Sequence, residues 1–167
     1  MKTKIAILGS TGSIGTSTLE IIGNDLNKFS VELLSAKDNY KKLISQAIKF
    51  KAKNVIIYND KYFYYVNKKL KKYKTKVFTD KTLLHRIIKK KIDCSVISIV
   101  GIAGLKPTLD AIPVSDKLIF ANKESIVCGW QLIKKKILKY KTKLIPVDSE
   151  HFSIMKLVGQ IPDKEIS

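Results

Sequence analysis

Arginine is almost absent from this sequence, which has 31 lysines and only Arg86 among its 32 basic residues. With 14 acidic residues the formal net charge is +18, and such a balance raises the question of a nucleic-acid partner. Specific nucleic-acid sites favour arginine, because its guanidinium forms paired hydrogen bonds to bases and phosphates. The lysines are also spread along the chain in short groups. The sequence therefore predicts solvated lysine-rich surfaces and no specific nucleic-acid partner.

Long apolar runs and patterned cysteines are missing as well. No stretch approaches the roughly 20 apolar residues that a membrane-spanning helix needs. The first residues lead directly into a strand-like run, without the apolar core of a signal peptide, so we expect no membrane segment and a cytoplasmic location. The two cysteines, Cys94 and Cys128, lie in segments that resemble core elements. We expect two buried thiols rather than a disulfide or a metal pair.

Short β-prone runs alternate with segments of helical periodicity along the whole chain, which is long enough for one domain with a substantial core. This alternation predicts an α/β fold with a Rossmann-like, doubly wound, mostly parallel sheet and helices on both faces. Strands are predicted at 4–8, 30–35, 54–58, 76–78, 94–100, 117–120 and 143–147. Helices are predicted at 13–22, 40–50, 61–72, 82–90, 106–111 and 124–139.

A glycine-rich turn follows the first predicted strand. Gly9, Gly12 and Gly15 join this strand to the first helix, and Thr11 and Ser13 add hydroxyl groups. Glycines let backbone N–H groups approach a pyrophosphate, and the helix N-terminus contributes partial positive charge. The spacing is a variant of the usual dinucleotide fingerprint. The alternative is a tight turn with a Ser/Thr cap and no ligand.

The end of the second strand bears on the choice of cofactor. An acidic residue there typically binds the ribose 2′-OH of NAD, whereas a positive charge suits the 2′-phosphate of NADP. The sequence has Lys37 followed by Asp38, so Lys37 favours NADP, while a shift of one residue would make Asp38 an NAD-type acid. An exposed turn before a helix is the alternative without function.

Two further polar segments follow predicted strands, at the edge of the sheet where catalytic groups of such folds lie. In the first, Asn122 and Glu124 are candidates for the cofactor and Lys123 for an anionic substrate, although Asn122 would also serve as a helix cap. In the second, Asp148 and Glu150 supply two hard oxygen ligands of the kind that Mg²⁺ or Mn²⁺ prefers. A helix N-cap is the alternative for this segment, and the role of His151 stays open.

Four segments carry a resemblance to a known family: Ile-Leu-Gly-Ser-Thr-Gly-Ser-Ile-Gly at 7–15, Val-Gly-Ile-Ala-Gly-Leu-Lys-Pro-Thr-Leu at 100–109, Ala-Asn-Lys-Glu-Ser at 121–125 and Pro-Val-Asp-Ser-Glu-His at 146–151. Together they resemble the 1-deoxy-D-xylulose 5-phosphate reductoisomerase family, over essentially the whole chain. The resemblance implies binding of NADPH and of Mg²⁺, Mn²⁺ or Co²⁺, and a phosphorylated small-molecule substrate. It also implies rearrangement and reduction of 1-deoxy-D-xylulose 5-phosphate to 2-C-methyl-D-erythritol 4-phosphate in non-mevalonate isoprenoid biosynthesis.

The resemblance also implies a role for each matching position. Members often have Ala-Gly-Lys-Asn where this chain has Ala-Lys-Asp-Asn at 36–39, which leaves open whether Lys37 or Asp38 faces the 2′-phosphate. By resemblance, the cofactor pyrophosphate is held by Thr11, Gly12, Ser13 and Ile14, its 2′-phosphate lies by Lys37, Asp38 and Asn39, and the cofactor also contacts Asn122 and Glu124. The resemblance further implies that the substrate contacts Lys123, Ser149 and Glu150 and that the metal is bound by Asp148 and Glu150. The catalytic residues that it implies are Lys123 and Glu150.

Family members have roughly 400 residues, so we expect residues 1–150 to form the NADPH-binding domain and residues 151–167 to begin a truncated catalytic domain. An isolated domain, a truncated frame and half of a split enzyme all fit the sequence. The resemblance implies a homodimer for full-length members, with a complementary C-terminal fragment as the other candidate partner. We expect no turnover by the 167-residue chain alone, and an inactive nucleotide-binding remnant is the alternative function.

Overall fold

The computed structural model describes residues 1–147. The predicted roles of Asp148, Ser149, Glu150 and His151 therefore lie outside the described residues. The strands are β1 Thr3–Leu8, β2 Phe29–Ala36, β3 Asn54–Ile57, β4 Lys76–Phe78, β5 Ile92–Ile97, β6 Ser115–Phe120 and β7 Lys143–Pro146. The α-helices are α1 Ser13–Gly23, α2 Tyr40–Lys49, α3 Phe63–Leu70, α4 Leu84–Ile87, α5 Leu105–Ala111 and α6 Lys123–Tyr140.

The seven strands form one sheet in the order β4-β3-β2-β1-β5-β6-β7. All neighbouring strands run parallel, so their carboxyl ends share one edge of the sheet. The chain winds outward from β1 to β4 on one side and from β5 to β7 on the other. The order of the strands therefore reverses between β1 and β5, which is where such sheets bind their ligands. The predicted α/β class and Rossmann-like arrangement are confirmed.

Two apolar clusters cover the two faces of the sheet, and the central strand β1 contributes to both. Ile5 and Ile7 pack in one cluster, with residues of α1, α2 and α3. Ala6 and Leu8 pack in the other, with residues of α5 and α6. Successive strand side chains point to opposite faces, so a strand covered on both sides is apolar at consecutive positions. This double burial fixes the position of the turn that follows β1.

Helix α1 buries one of its three isoleucines. Ile14 is 43% exposed and Ile21 is 67% exposed, whereas Gly15, Leu19 and Ile22 are buried. Gly15 packs directly on the backbone of the preceding turn, which brings the helix face with the Gly15, Leu19 and Ile22 spacing onto the sheet. The prediction of the helix is confirmed.

Three other expectations from the sequence need correction. The helix predicted at 82–90 is only the single turn α4, since a short segment with few buried apolar residues does not sustain a longer helix. The strand predicted at 94–100 is β5, which starts earlier and ends at Ile97, next to the point where the hydroxyl of Ser98 donates to Leu8 O at the end of β1. Cys94 is buried as expected, but Cys128 is exposed on α6. Neither cysteine forms a disulfide within the described part of the chain.

No helix described between Met1 and Val147 is long and apolar enough to cross a bilayer.

Candidate functional site

A cleft of about 400 Å³ opens at the carboxyl edge of the sheet, at the switch point between β1 and β5. This volume is within the range of small-molecule sites. The cleft joins the glycine turn after β1, the end of β2 and the loop after β5, segments far apart in the sequence. Its walls are formed by Gly9, Thr11, Gly12, Ser35, Ala36, Lys37, Tyr58, Asp80, Ser98, Ile99, Ala103 and Pro107.

The glycines at the two ends of the turn are required by its packing. Gly9 has φ of +92°, and a Cβ there would lie 2.8 Å from the carbonyl oxygen of Ser98. A Cβ on Gly15 would overlap the carbonyl oxygen of Gly9. Side chains at these two positions would therefore separate the turn from β5 or push α1 away from the turn. The glycine spacing read from the sequence is explained by the close approach of three backbone segments.

Polar side chains of neighbouring elements hold the turn in place. The hydroxyl of Ser35 at the end of β2 accepts a hydrogen bond from Gly9 N at 3.0 Å. The buried amide of Gln46 on α2 binds Ser10 twice: Nε2 donates to Ser10 O at 2.9 Å, and Oε1 accepts from Ser10 Oγ at 2.8 Å. On the other side, Ser98 Oγ donates to Gly9 O at 3.1 Å. The turn is thus fixed before any ligand arrives.

The N-terminus of α1 has no cap of its own. Gly12 occupies the N-cap position in an extended conformation, no side chain accepts a hydrogen bond there, and the first turn contains no acidic residue. The first N–H groups of a helix lack partners within the helix and carry partial positive charge. Gly12, Ser13 and Ile14 are exposed and Thr11 is half-buried. This arrangement leaves backbone donors available for an anion.

The turn between β2 and α2 is exposed at Lys37, Asp38 and Asn39. Lys37 lines the cleft together with the glycine turn. The carboxylate of Asp38 is instead bound within the protein, because its Oδ1 accepts a hydrogen bond from Asn59 Nδ2 at 2.6 Å. Asn39 caps α2 by accepting from Lys42 N at 3.2 Å. The three residues predicted for one phosphate therefore have three different surroundings.

Tyr58 and Asp80 also line the cleft, just after the ends of β3 and β4, and no motif in the sequence singles out either residue. Burial raises the pKa of Tyr58 to about 12, against the lowering influence of a hydrogen bond with Ser35. Its phenol is therefore neutral at physiological pH, so that it offers a hydroxyl group and an aromatic ring to the cleft without a charge.

Asn122 is almost completely buried, and its amide is engaged in the fold. Its Oδ1 accepts from Ser125 N at 2.8 Å, which is the capping role considered for this residue. Its Nδ2 donates to Gly101 O at 2.8 Å and to Ile99 O. Gly104 packs so closely on this amide that a Cβ there would overlap it. Asn122 therefore ties the loop after β5, which forms one wall of the cleft, to the start of α6.

Lys123 and Glu124 lie exposed in the first turn of α6, beside the capped N-terminus. Glu124 is placed where a carboxylate interacts favourably with the helix dipole. Their predicted contacts with substrate and cofactor stay predictions. Within residues 1–147 no group of three or more His, Cys, Asp or Glu side chains is arranged to hold a metal ion. The predicted ligands Asp148 and Glu150 lie outside the described residues.

A parallel, doubly wound sheet with a glycine turn at its switch point defines the class of Rossmann-type dinucleotide-binding domains. Comparison with known proteins is more specific. Residues 5–129 match the family model for 1-deoxy-D-xylulose 5-phosphate reductoisomerase. The chain is 53% identical over 157 residues to the 1-deoxy-D-xylulose 5-phosphate reductoisomerase of Pelagibacter ubique, covering 93% of this chain and 40% of that relative. The chain belongs to the 1-deoxy-D-xylulose 5-phosphate reductoisomerase family.

Solved structures of reductoisomerases share the fold. The enzyme from Zymomonas mobilis in complex with NADPH matches with a TM-score of 0.83 and 33% identity, covering 90% of this chain and 40% of that one. A reductoisomerase in complex with NADPH, fosmidomycin and magnesium matches with a TM-score of 0.82 and 32% identity, covering 89% and 37%. The chain thus spans about two fifths of the length of these relatives.

Proposed function

We propose that this chain is the NADPH-binding part of a 1-deoxy-D-xylulose 5-phosphate reductoisomerase. The whole enzyme would rearrange and reduce 1-deoxy-D-xylulose 5-phosphate to 2-C-methyl-D-erythritol 4-phosphate. The observation that carries the proposal is the cleft at the switch point, where an uncapped helix N-terminus and Lys37 line one cavity. Family membership, and the NADPH bound in two structural relatives, support the choice of ligand.

The uncapped start of α1 suits the cofactor pyrophosphate. We assign Thr11, Gly12, Ser13 and Ile14 to this group, because the backbone donors at the start of α1 are not used by a capping side chain. When bound, NADPH supplies the hydride for the reduction. The residues of this chain hold the cofactor and present it at the carboxyl edge of the sheet, where Lys123 and Glu124 also lie.

Lys37 is assigned to the adenosine 2′-phosphate. It lines the cleft, whereas the carboxylate of Asp38 is bound to the side chain of Asn59. An ammonium group forms a charge-assisted hydrogen bond with a phosphate, and a carboxylate would repel it. Asn39 lies by the same group but uses its side chain to cap α2.

The metal and substrate contacts remain proposals from the sequence and the family. Asp148 and Glu150 would ligate Mg²⁺, Mn²⁺ or Co²⁺, and Lys123, Ser149 and Glu150 would bind the phosphorylated substrate. In support, β7 ends at Pro146 on the same edge as the cleft, and Val147 N still bonds to Phe120 O at 3.0 Å. A metal there would polarise the substrate oxygens.

The domain bounds, oligomeric state and location also stay predictions. Residues 1–150 would form the cofactor domain and residues 151–167 the start of the catalytic domain. The homodimer and the cytoplasmic location are implied by the family resemblance and the sequence.

Calorimetric titration with NADPH and with NADH tests the cofactor assignment. We expect NADPH to bind at least about tenfold more tightly, since Lys37 pairs with the additional phosphate. Lys37→Ala should remove most of this preference while leaving NADH affinity nearly unchanged. The matched control is Asp38→Ala at the adjacent exposed position, which should keep the preference for NADPH. Equal affinities of the unmodified protein, or a preference that survives in Lys37→Ala, would overturn the assignment.

A further inference from the structure

Lys42 is a lysine of α2 that reaches the glycine turn, and no sequence motif singles it out. Its Nζ donates to Thr11 O at 3.1 Å and to Thr16 Oγ1 at 2.8 Å. The side chain is half-buried, unlike most lysines of the chain. Gln46, one helical turn further along α2, binds Ser10 of the same turn. Helix α2 therefore contacts the glycine turn through two polar side chains with i, i+4 spacing.

The two acceptors of Lys42 lie at the backbone around Gly12, whose carbonyl also accepts the first helical hydrogen bond, from Thr16 N at 2.9 Å. Thr16 Oγ1 donates in turn to Gly12 O at 2.7 Å, so the ammonium is linked to the carbonyl groups of both Thr11 and Gly12. In a trans peptide the carbonyl and the following N–H point in opposite directions. Holding Gly12 O from one side therefore aims the N–H of Ser13 to the other side. A hydrogen-bonded cation also polarises such a chain and strengthens its last donor.

The charge of Lys42 has no carboxylate partner among the residues described. The ion pairs within residues 1–147 involve Lys28, Lys53, Lys81, Lys91 and Lys106. Lys42 instead binds a carbonyl and a hydroxyl group, neither of which neutralises an ammonium. Its positive charge adds to the partial charge at the start of α1, where no acidic side chain opposes it. An anion at the glycine turn would balance this charge.

We infer that Lys42 is a positioning residue for the cofactor pyrophosphate, acting through Thr11 and Thr16 rather than by recognising the 2′-phosphate. The inference rests on the proposed function, because it assumes that a dinucleotide occupies the cleft. Lys42 orients the peptide groups at the start of α1 and raises the positive potential there. Since the pyrophosphate is common to both nicotinamide cofactors, Lys42 contributes equally to NADPH and NADH. Lys37 supplies the difference between them.

The test compares Lys42→Met, Lys42→Arg and the matched control Lys41→Met, which changes the adjacent exposed lysine of α2. Calorimetry at several salt concentrations measures the affinity for NADPH and NADH, and thermal unfolding verifies the fold. We expect Lys42→Met to weaken both nucleotides alike by about tenfold, as for loss of a charge-assisted interaction. Its binding should also depend less steeply on salt. Lys42→Arg should restore both properties, and Lys41→Met should bind like the unmodified protein.

Other results of these titrations distinguish failure of the inference on Lys42 from failure of the proposed function. If the unmodified protein prefers NADPH and Lys42→Met binds both nucleotides with unchanged affinity, the inference is overturned and the proposed function stands. If Lys42→Met weakens NADPH alone, Lys42 recognises the 2′-phosphate and the inference is also overturned. If Lys42→Met weakens binding without changing its salt dependence, the lysine has only a structural role. Failure of the unmodified protein to bind either nucleotide would overturn the proposed function together with this inference.

Discussion

The helices α1 and α6 both begin at the carboxyl edge of the sheet, and their N-termini are built differently. The N-terminus of α6 is capped by the buried side chain of Asn122, which accepts a hydrogen bond from Ser125 N. Helix α1 begins at Gly12 without any side-chain cap. Of the α-helices described, α2 and α6 have a side-chain cap and α1, α3, α4 and α5 have none, so what distinguishes α1 is that Gly12 at its start also lines the cleft. Asn122 therefore holds the wall of the cleft, whereas the backbone donors at the start of α1 are the ones that we propose for the cofactor.

The largest loss of NADPH affinity is expected when a negatively charged side chain caps the N-terminus of α1. In Gly12→Asp the new Cβ has room, since its nearest neighbour would lie 3.5 Å away. The carboxylate would cap α1 and repel the pyrophosphate, so we expect NADPH affinity to fall roughly a hundredfold or more. The free energy of unfolding should stay constant or rise by about 0.3 kcal/mol, since glycine is itself a fair N-cap residue. Calorimetry and urea unfolding measure the two effects separately.

Gly12→Asn is the matched control, because it has the same shape as Gly12→Asp and no charge. It should cap the helix as well, but retain at least about tenfold more affinity for NADPH than the aspartate variant. Equal losses in the two variants would mean that bulk and not charge is responsible. An aspartate variant that binds NADPH normally would show that the pyrophosphate does not lie at this helix.

For Asn122 we expect the opposite result, a large loss of stability and a small loss of NADPH affinity. Removing its side chain in Asn122→Ala deletes the cap of α6 and the two bonds to the loop after β5, so unfolding should become easier by about 3 kcal/mol. The affinity of the folded protein for NADPH should fall by only about tenfold or less, because the cleft wall loosens while the donors of α1 remain. Urea unfolding and calorimetry at low temperature separate these two quantities.

Asn122→Ser gives a finer comparison, since its hydroxyl can still cap α6 but cannot replace the two bonds of the amide to the loop after β5. Its loss of stability should fall between that of Asn122→Ala and the unmodified protein. A result in which Asn122→Ala unfolds normally but loses NADPH a hundredfold would contradict the architectural role. It would instead support the direct cofactor contact that the family resemblance implies.

The features that the sequence predicted well are those that depend on short stretches of chain. Alternation of apolar runs indicated all seven strands, and the strand–turn–helix spacing of the glycines located the turn correctly. Residue boundaries were less accurate where a tertiary contact decides them. Strand β5, for example, ends where the hydroxyl of Ser98 reaches the backbone of β1. Cys128 is exposed because α6 buries a different side, which includes Ser125, Gly129 and Ile133.

The parts of the site that the sequence missed depend on contacts between distant residues. Lys42 and Gln46 are more than 25 residues from the turn that they hold, and their i, i+4 spacing gains meaning only when α2 is placed beside it. Whether Lys37 or Asp38 faces the cleft was undecided from the sequence for a similar reason. The partner of Asp38 is Asn59, which follows β3 and not β2.

A crystal structure of this protein with NADPH would show directly whether the dinucleotide occupies the cleft at the switch point. We predict that the pyrophosphate oxygens accept hydrogen bonds from the backbone at the start of α1, next to Gly12. The 2′-phosphate should lie within hydrogen-bonding distance of Lys37 Nζ, with Asp38 still bound to Asn59. A dinucleotide bound outside the cleft, or a 2′-phosphate beside Asn59 and away from Lys37, would contradict the account.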